Sequence, residues 1–430
     1  MVSIVWFKTD LRLHDNETLV RAVEQSDFIV PVYCLDDQHF EQTQYGCKKT
    51  GAFRAQFLLE SLQNLDDNLR KLGSGLIVVK GNPEVEIPKI ALKYKVDKVF
   101  TKKEIAYEEL NLHHKVEQAL WKIHIPIDVF STSTLYHAKD LPFAVKEIPE
   151  VFTQFRKKVE SESIIQGVFD IPKSIKSASI EKLNLPKLSD LGLVKQQSDN
   201  RSVIHFKGGE EEAMKRLHHY FFETKSLSTY FETRNEMIGA NYSSKFSPWL
   251  AMGCISPRYI YEQIKIYESK HGSSKSTYWL IFELLWRDYF RFMMKKHQHQ
   301  FFLYHGLKTP QENKSKIDVL ALEQWKNGTT GNKFVDANMI ELNKTGFMSN
   351  RGRQNVASYF CHQLKMDWRY GAAYFEEQLI DYDVCSNWGN WMYIAGVGND
   401  PRENRIFNLE KQANTYDING AYRRMWLDGE

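Results

Sequence analysis

The sequence predicts two domains: an N-terminal α/β domain with a doubly wound, Rossmann-like parallel sheet, and an all-α C-terminal domain. Three observations carry this. The chain has 430 residues, more than one domain usually needs. Short apolar runs alternate with helical patterns up to about residue 135. After Phe206 no strand-like alternation of any length appears.

Ile4–Phe7 is the first apolar run, followed by the polar turn Thr9-Asp-Leu-Arg-Leu-His-Asp-Asn16. Phe28–Cys34 reads as a buried strand. Phe53, Phe57, Leu58, Leu62, Leu65, Leu69 and Leu72 recur at helical spacing, and Gly73-Ser-Gly75 stops that helix. Leu76–Val79, Val96–Thr101 and Pro126–Phe130 are the remaining strands. A GxGxxG phosphate turn is absent after the first strand, which counts against a standard dinucleotide site there. The domains are expected over 1–135 and 206–430. The connector between them, 136–205, is richest in Lys, Ser and Pro from Pro172 to Asn200.

Composition excludes several classes. Hydrophobic residues make up 42% and charged residues 26%, an ordinary globular balance without a run long enough to span a membrane. The net charge of +3 is too small to signal nucleic acid by itself, so any such site must be local. The five cysteines form no CxxC pair and the 14 histidines are dispersed, which argues against a disulfide framework or a zinc site. A cytoplasmic monomer is the expectation. Aromatic residues reach 13%, enough to look for stacking on a cofactor or a base.

Three stretches of the second domain carry candidate chemistry. In Tyr278–Phe290, Glu283 and Arg287 stand at i,i+4 and Trp279 and Trp286 at i,i+7. This is either a core helix with a helical ion pair or a helix turning Glu283, Trp286 and Arg287 toward a ligand. Thr345–Asn355 packs Asn350, Arg351, Arg353, Gln354 and Asn355 into six positions, a set suited to a phosphate or a heterocycle edge and equally to a solvated turn. In Asp381–Trp391, Asp383 and Asn387 are i,i+4 among Trp388 and Trp391, and Asp381 stands free to pair with an Arg. Carboxylates and amides among aromatics are costly to bury unless something polar binds there. Tyr242–Ser247 adds hydroxyls before an apolar helix, a phosphate cradle or an ordinary cap.

Together these blocks resemble the photolyase/cryptochrome family. Trp6-Phe-Lys-Thr-Asp-Leu-Arg12 with Asp15-Asn16 is similar to its N-terminal signature. Thr233-Arg-Asn235, Tyr242–Gly253, Glu283–Asp288, Asp336–Met339, Thr345–Ser358, Asp367-Trp-Arg369 and Asp381–Trp391 resemble its C-terminal ones. Ser349–Ser358, Ser133–His137 and Phe206–Glu210 resemble the DASH branch. The resemblance implies an antenna domain followed by a helical domain that holds folded FAD. It places Tyr230, Ser243, Ser244, Lys245, Phe246 and Ser247 on the FAD phosphates and ribose. Arg353, Asp381, Asp383 and Asn387 fall beside the flavin, and Glu283, Trp286, Arg287, Asn350 and Arg351 in the substrate pocket. It implies blue-light repair of cyclobutane pyrimidine dimers in DNA by electron transfer from reduced flavin, with a blue-light photoreceptor as the alternative. Such a receptor is expected to carry a long C-terminal extension, whereas this chain ends at Glu430.

Where duplex-active photolyases carry Met and a second pocket Trp, this chain has Gln354 and Tyr393, which implies weaker stacking and a preference for single-stranded DNA. Duplex DNA and RNA remain further ligands. Trp391 and Trp368 match the inner two members of the family's Trp triad, while Ser315 stands at the outer place; Trp325, Trp388 and Tyr370 are the candidates to replace it. A methenyltetrahydrofolate antenna is implied at Glu109, with Ser131 where a Trp is expected.

Overall fold

The computed structural model describes residues 1–197, 199–310, 317–400 and 406–428. Ser315 lies outside these residues. Five strands, β1 (Val2–Phe7), β2 (Phe28–Leu35), β3 (Ile77–Lys80), β4 (Lys98–Lys102) and β5 (Ile127–Phe130), form one parallel sheet in the order β3-β2-β1-β4-β5. Between them run α1 (Glu17–Gln25), α2 (Ala52–Lys71), α3 (Pro83–Lys93) and α4 (Tyr107–Trp121). Ser3 to Phe7 are all buried, as a central parallel strand covered on both faces requires.

The order reverses between β1 and β4, where an open α/β sheet ordinarily holds its ligand. Beside that point the chain places buried charges of its own. Lys102 is 1% exposed and lies 3.2 Å from a Glu104 carboxylate oxygen. Glu109, in the first turn of α4, sits beside Glu104; burial and that neighbouring charge push its carboxyl up to about 8.

The connector contains a helix that its composition hid. α5 (Phe152–Glu162) presents Phe152, Phe155 and Val159 to the core. The second domain follows as α6 (Glu210–His218), two short turns, α7 (Tyr230–Thr233) and α8 (Ser247–Ala251), then α9 (Pro257–His271) and the long α10 (Lys275–His297). It closes with α11 (Val319–Asn327), α12 (Lys333–Thr345), α13 (Asn350–Ser358), α14 (Trp368–Gln378), α15 (Val384–Ala395), α16 (Leu409–Tyr416) and α17 (Ala421–Leu427). Among the described residues no strand follows β5 and no helix is long and apolar enough to cross a membrane.

The Thr9–Asn16 turn clasps the two domains. The Arg12 guanidinium donates to the carbonyls of His14, Asp15, Thr132 and, across the interface, Gly253. Glu210 accepts from the backbone N–H groups of Leu13 and His14. Asp15 pairs with Arg258 at 2.6 Å. Gly253 has to be glycine: its φ is +68°, and a Cβ there would lie 2.1 Å from the Thr9 carbonyl oxygen.

Candidate functional site

The helical domain holds a two-lobed cleft. The larger lobe encloses ≈ 1120 Å³ of empty space, part of it open to solvent, and the smaller ≈ 570 Å³. Asn350, Arg353, Asp381, Asp383 and Ser386 line both, so the lobes are continuous. Two helix starts build the shared wall. Ser349 caps α13 by accepting from the Gly352 N–H, and Asp383 caps α15 by accepting from the Ser386 N–H at 2.9 Å. Helix starts place Asn350 and Ser386 at the cleft for the same reason that they leave backbone donors there.

Ion pairs cross this wall. Arg353 donates to Asp381 at 2.8 Å. Asp383 receives Arg291, with Arg287 3.8 Å away. Burial alone would raise the Asp383 carboxyl, but the two guanidiniums and the Ser386 N–H hold it well below the usual carboxylate range. Glu283 does not pair with Arg287 along α10. It bonds Arg234 from α7's C-terminal end at 2.6 Å, while Arg287 donates to the Ser133 and Leu250 carbonyls. Tertiary partners thus replace the expected i,i+4 pair, and burial leaves the Glu283 carboxyl raised against the pull of Arg234.

The larger lobe is lined by Tyr230, Ser243, Ser244, Lys245, Phe246, Ser247, Glu283 and Arg287 besides the shared wall. The smaller lobe takes Gln354, Asn387 and Trp391. Asn387 donates its amide to the Ala372 carbonyl, and Trp391 packs on Gly371, where a Cβ would fall 2.3 Å from the indole. Arg234, Ser386 and Asn390 also line the cleft; sequence reasoning passed them over. Arg234 stood inside the Thr233–Asn235 block, but its partner lies 49 residues away and leaves no local signal.

Other expected residues sit around the cleft. Trp286, one turn from Glu283 on α10, stacks on Phe152 with ring centroids 3.7 Å apart and meets the Tyr393 ring edge-on at 5.8 Å. Arg351 spreads over the Tyr416 ring and bonds Asn235 and Gln354. Trp368 contacts Trp388, not Trp391, at 5.7 Å. Glu109 is remote, in the first domain at the head of α4.

The donor set suits a dinucleotide with a diphosphate and a polar ring. Five serines, Ser243, Ser244, Ser247, Ser349 and Ser386, and the buried Lys245 line one lobe, while the buried Asp381 Oδ1 has no protein partner. Comparison with known proteins agrees. Residues 3–173 match the family described as DNA photolyase, and 279–429 match the FAD binding domain of DNA photolyase. The cryptochrome DASH of Gloeobacter violaceus is 48% identical over 425 residues, covering 99% of this chain and 85% of that protein. The chain belongs to the DASH cryptochromes of the photolyase/cryptochrome family.

The crystal structure of a Synechocystis cryptochrome superposes on this DASH chain with a TM-score of 0.96 at 47% identity, covering 99% of this chain and 88% of the other. A class III photolyase from Agrobacterium tumefaciens gives a TM-score of 0.83 at 27% identity, covering 99% and 86%. The FAD-binding match includes α13 and α15, which carry the shared wall of the cleft, while the serine cradle at 243–247 lies before it.

Proposed function

We propose that this DASH cryptochrome is a blue-light-driven enzyme that repairs cyclobutane pyrimidine dimers, preferring single-stranded DNA. The observation that carries the reading is the continuous cleft: a dinucleotide-sized lobe, which Glu283 also lines, joined through Asn350 and the Arg353–Asp381 pair to a second lobe edged by Gln354 and Asn390. Tyr230, Ser243–Ser247, Arg353 and Asp381 would hold FAD there, and reduced flavin would lend a light-driven electron to the dimer and take it back once the cyclobutane ring has split. The chain's own residues bind, orient and exclude water. Glu283, fixed by Arg234, accepts from a pyrimidine imide N–H, and Asn350 offers an amide to a carbonyl edge. A Glu283→Gln variant loses a charge-assisted bond of roughly 1.5–3 kcal/mol, so kcat/KM for light-dependent repair should fall about 10–100-fold. A variant repairing at the parent rate would remove Glu283 from the substrate pocket.

Gln354 and Tyr393 support the strand preference. Base stacking is worth ~1–3 kcal/mol, and extruding a lesion from a duplex costs a few kcal/mol. A pocket with less apolar stacking leaves that cost uncovered in a duplex, and a single strand avoids most of it.

Refilling the flavin with electrons needs an aromatic route from the cleft. Trp391 lines it; the preceding turn of α15 carries Trp388, whose ring meets Trp368 at 5.7 Å and Tyr45 at 6.4 Å, with Tyr370 5.1 Å beyond. Tyr45 and Tyr370 are partly exposed, whereas Trp325, though its ring meets that of Trp391 at 6.1 Å, is buried among Phe360, Tyr374 and Phe375. Trp388 is therefore the better replacement for the outer Trp. Trp388→Phe should slow photoreduction about tenfold, ~1.4 kcal/mol of barrier; an unchanged rate would exclude this route.

A further inference from the structure

Arg351 and Gln354 stand at i,i+3 near the start of α13, and the arginine is pinned on three sides. Its Nη1 donates to Gln354 Oε1 at 3.0 Å and its Nη2 to Asn235 Oδ1 at 3.0 Å. The guanidinium lies over the Tyr416 ring, 4.5 Å from the centroid. Both anchors are themselves fixed. Tyr416, at the end of α16, packs on the apolar cluster that holds Met237, Phe334, Tyr422 and Trp426, and Met237 stands two residues past Asn235 in the loop after α7.

A guanidinium donates and has no lone pair with which to accept. The Gln354 amide must therefore turn its oxygen to Arg351, and its Nε2 group is turned away. Among the described residues that Nε2 group has no protein acceptor. Gln354 lines the smaller lobe, beside Asn350 and Trp391, whereas Arg351 lines neither lobe. The lobe is thus edged by an amide whose acceptor is taken and whose donor is not. A positive charge on the amide oxygen also polarises the N–H groups and makes them stronger donors.

We propose that Arg351, held by Asn235 and Tyr416, is a positioning residue that fixes the polarity of Gln354, so that the smaller lobe offers an N–H donor to a carbonyl oxygen of the flipped pyrimidine. The inference rests on the reading of the cleft as the lesion site. It gives Gln354 a second effect besides weaker stacking: the side chain reads the edge of the base. An unpinned glutamine would present either end of its amide and would lose rotamer freedom on binding; the arginine removes both costs in advance. An arginine beside a nucleic acid has another use, as a phosphate contact, and the two roles separate by experiment.

The test is dark binding of the FAD-loaded full chain to labelled single-stranded oligonucleotides with and without one thymine dimer, read as the ratio of the two dissociation constants. Arg351→Met should reduce the parent's preference for the dimer about two- to tenfold, the worth of one hydrogen bond. Tyr416→Leu, on a residue that lines neither lobe, should act in the same direction by a smaller factor, and Tyr416→Phe, which keeps the ring, should restore the parent ratio. Gln354→Glu keeps an oxygen for Arg351 but sets an acceptor against the pyrimidine carbonyl, and should cost about tenfold or more. In a Gln354→Met background, Arg351→Met should change the ratio by less than about twofold, because the arginine then has no amide to orient. The slope of log Kd against log salt should match the parent's, whereas a lost phosphate contact on a single strand lowers it by about 0.7. An equal loss in both backgrounds, a slope lowered by that amount, or a Gln354→Glu variant with the parent ratio would overturn the proposal. A parent chain that binds the two oligonucleotides alike would instead overturn the reading of the cleft as a lesion site, and this proposal with it.

Discussion

An Asp383→Asn variant should lose about 3–5 kcal/mol of stability and fail to retain FAD. Asp383 is the carboxylate shared by Arg291 and Arg287, and Arg291 is 5% exposed. Removing one partner of a buried pair leaves an uncompensated charge, which costs ~3–5 kcal/mol. Asn can still cap α15, so helix fraying is a small part of the effect. The pH dependence has a definite sign. The folded carboxyl lies below its unfolded value of ~3.9. Its contribution is therefore complete above that value and is lost as pH falls through the folded one. Urea titrations of parent and variant should differ by the full amount at neutral pH and converge only below about pH 4. A neutral-pH difference under ~1 kcal/mol would mean that the guanidiniums find other partners.

Asp15→Ala should unfold the clasp between the domains at a similar cost. Asp15 is fully buried, binds two nitrogens of Arg258 at 2.6 and 3.0 Å, and accepts from the Phe169 N–H. The variant strands the Arg258 guanidinium inside the interface, worth about 3–5 kcal/mol in chemical denaturation. Asp15→Ala with Arg258→Met should recover a large part of the loss, because a pair replaced by apolar groups leaves no orphan charge. If the double variant is as unstable as the single one, packing around Asp15 rather than the stranded charge carries the effect.

These two carboxylates mark what the sequence made legible and what it hid. Strands such as Phe28–Leu35 were readable because a parallel sheet buried on both faces turns them into continuous apolar runs. The all-α character after Phe206 was readable from periodicity alone. α5 was not, since Phe152, Phe155 and Val159 are few among Lys, Glu and Ser. Within the cleft, Asp383 and Asn387 announced themselves by i,i+4 spacing, and Arg353 with Asp381 by the blocks that carry them. The partners of Glu283 and Asp383 were invisible because Arg234 and Arg291 arrive from 49 and 92 residues away. Helical spacing placed Trp286 and Glu283 one turn apart on one face of α10, but the stack of Trp286 on Phe152, from the connector helix, left no local signal.

Repair of a single cyclobutane thymine dimer under blue light, in matched single-stranded and duplex oligonucleotides with the purified, reduced holoprotein, tests the central claim most directly. Repair of the single strand with little or none of the duplex is the predicted result. Equal repair of both would contradict the pocket argument built on Gln354 and Tyr393, and repair of neither by protein that binds FAD and photoreduces it would contradict the enzyme and leave the photoreceptor.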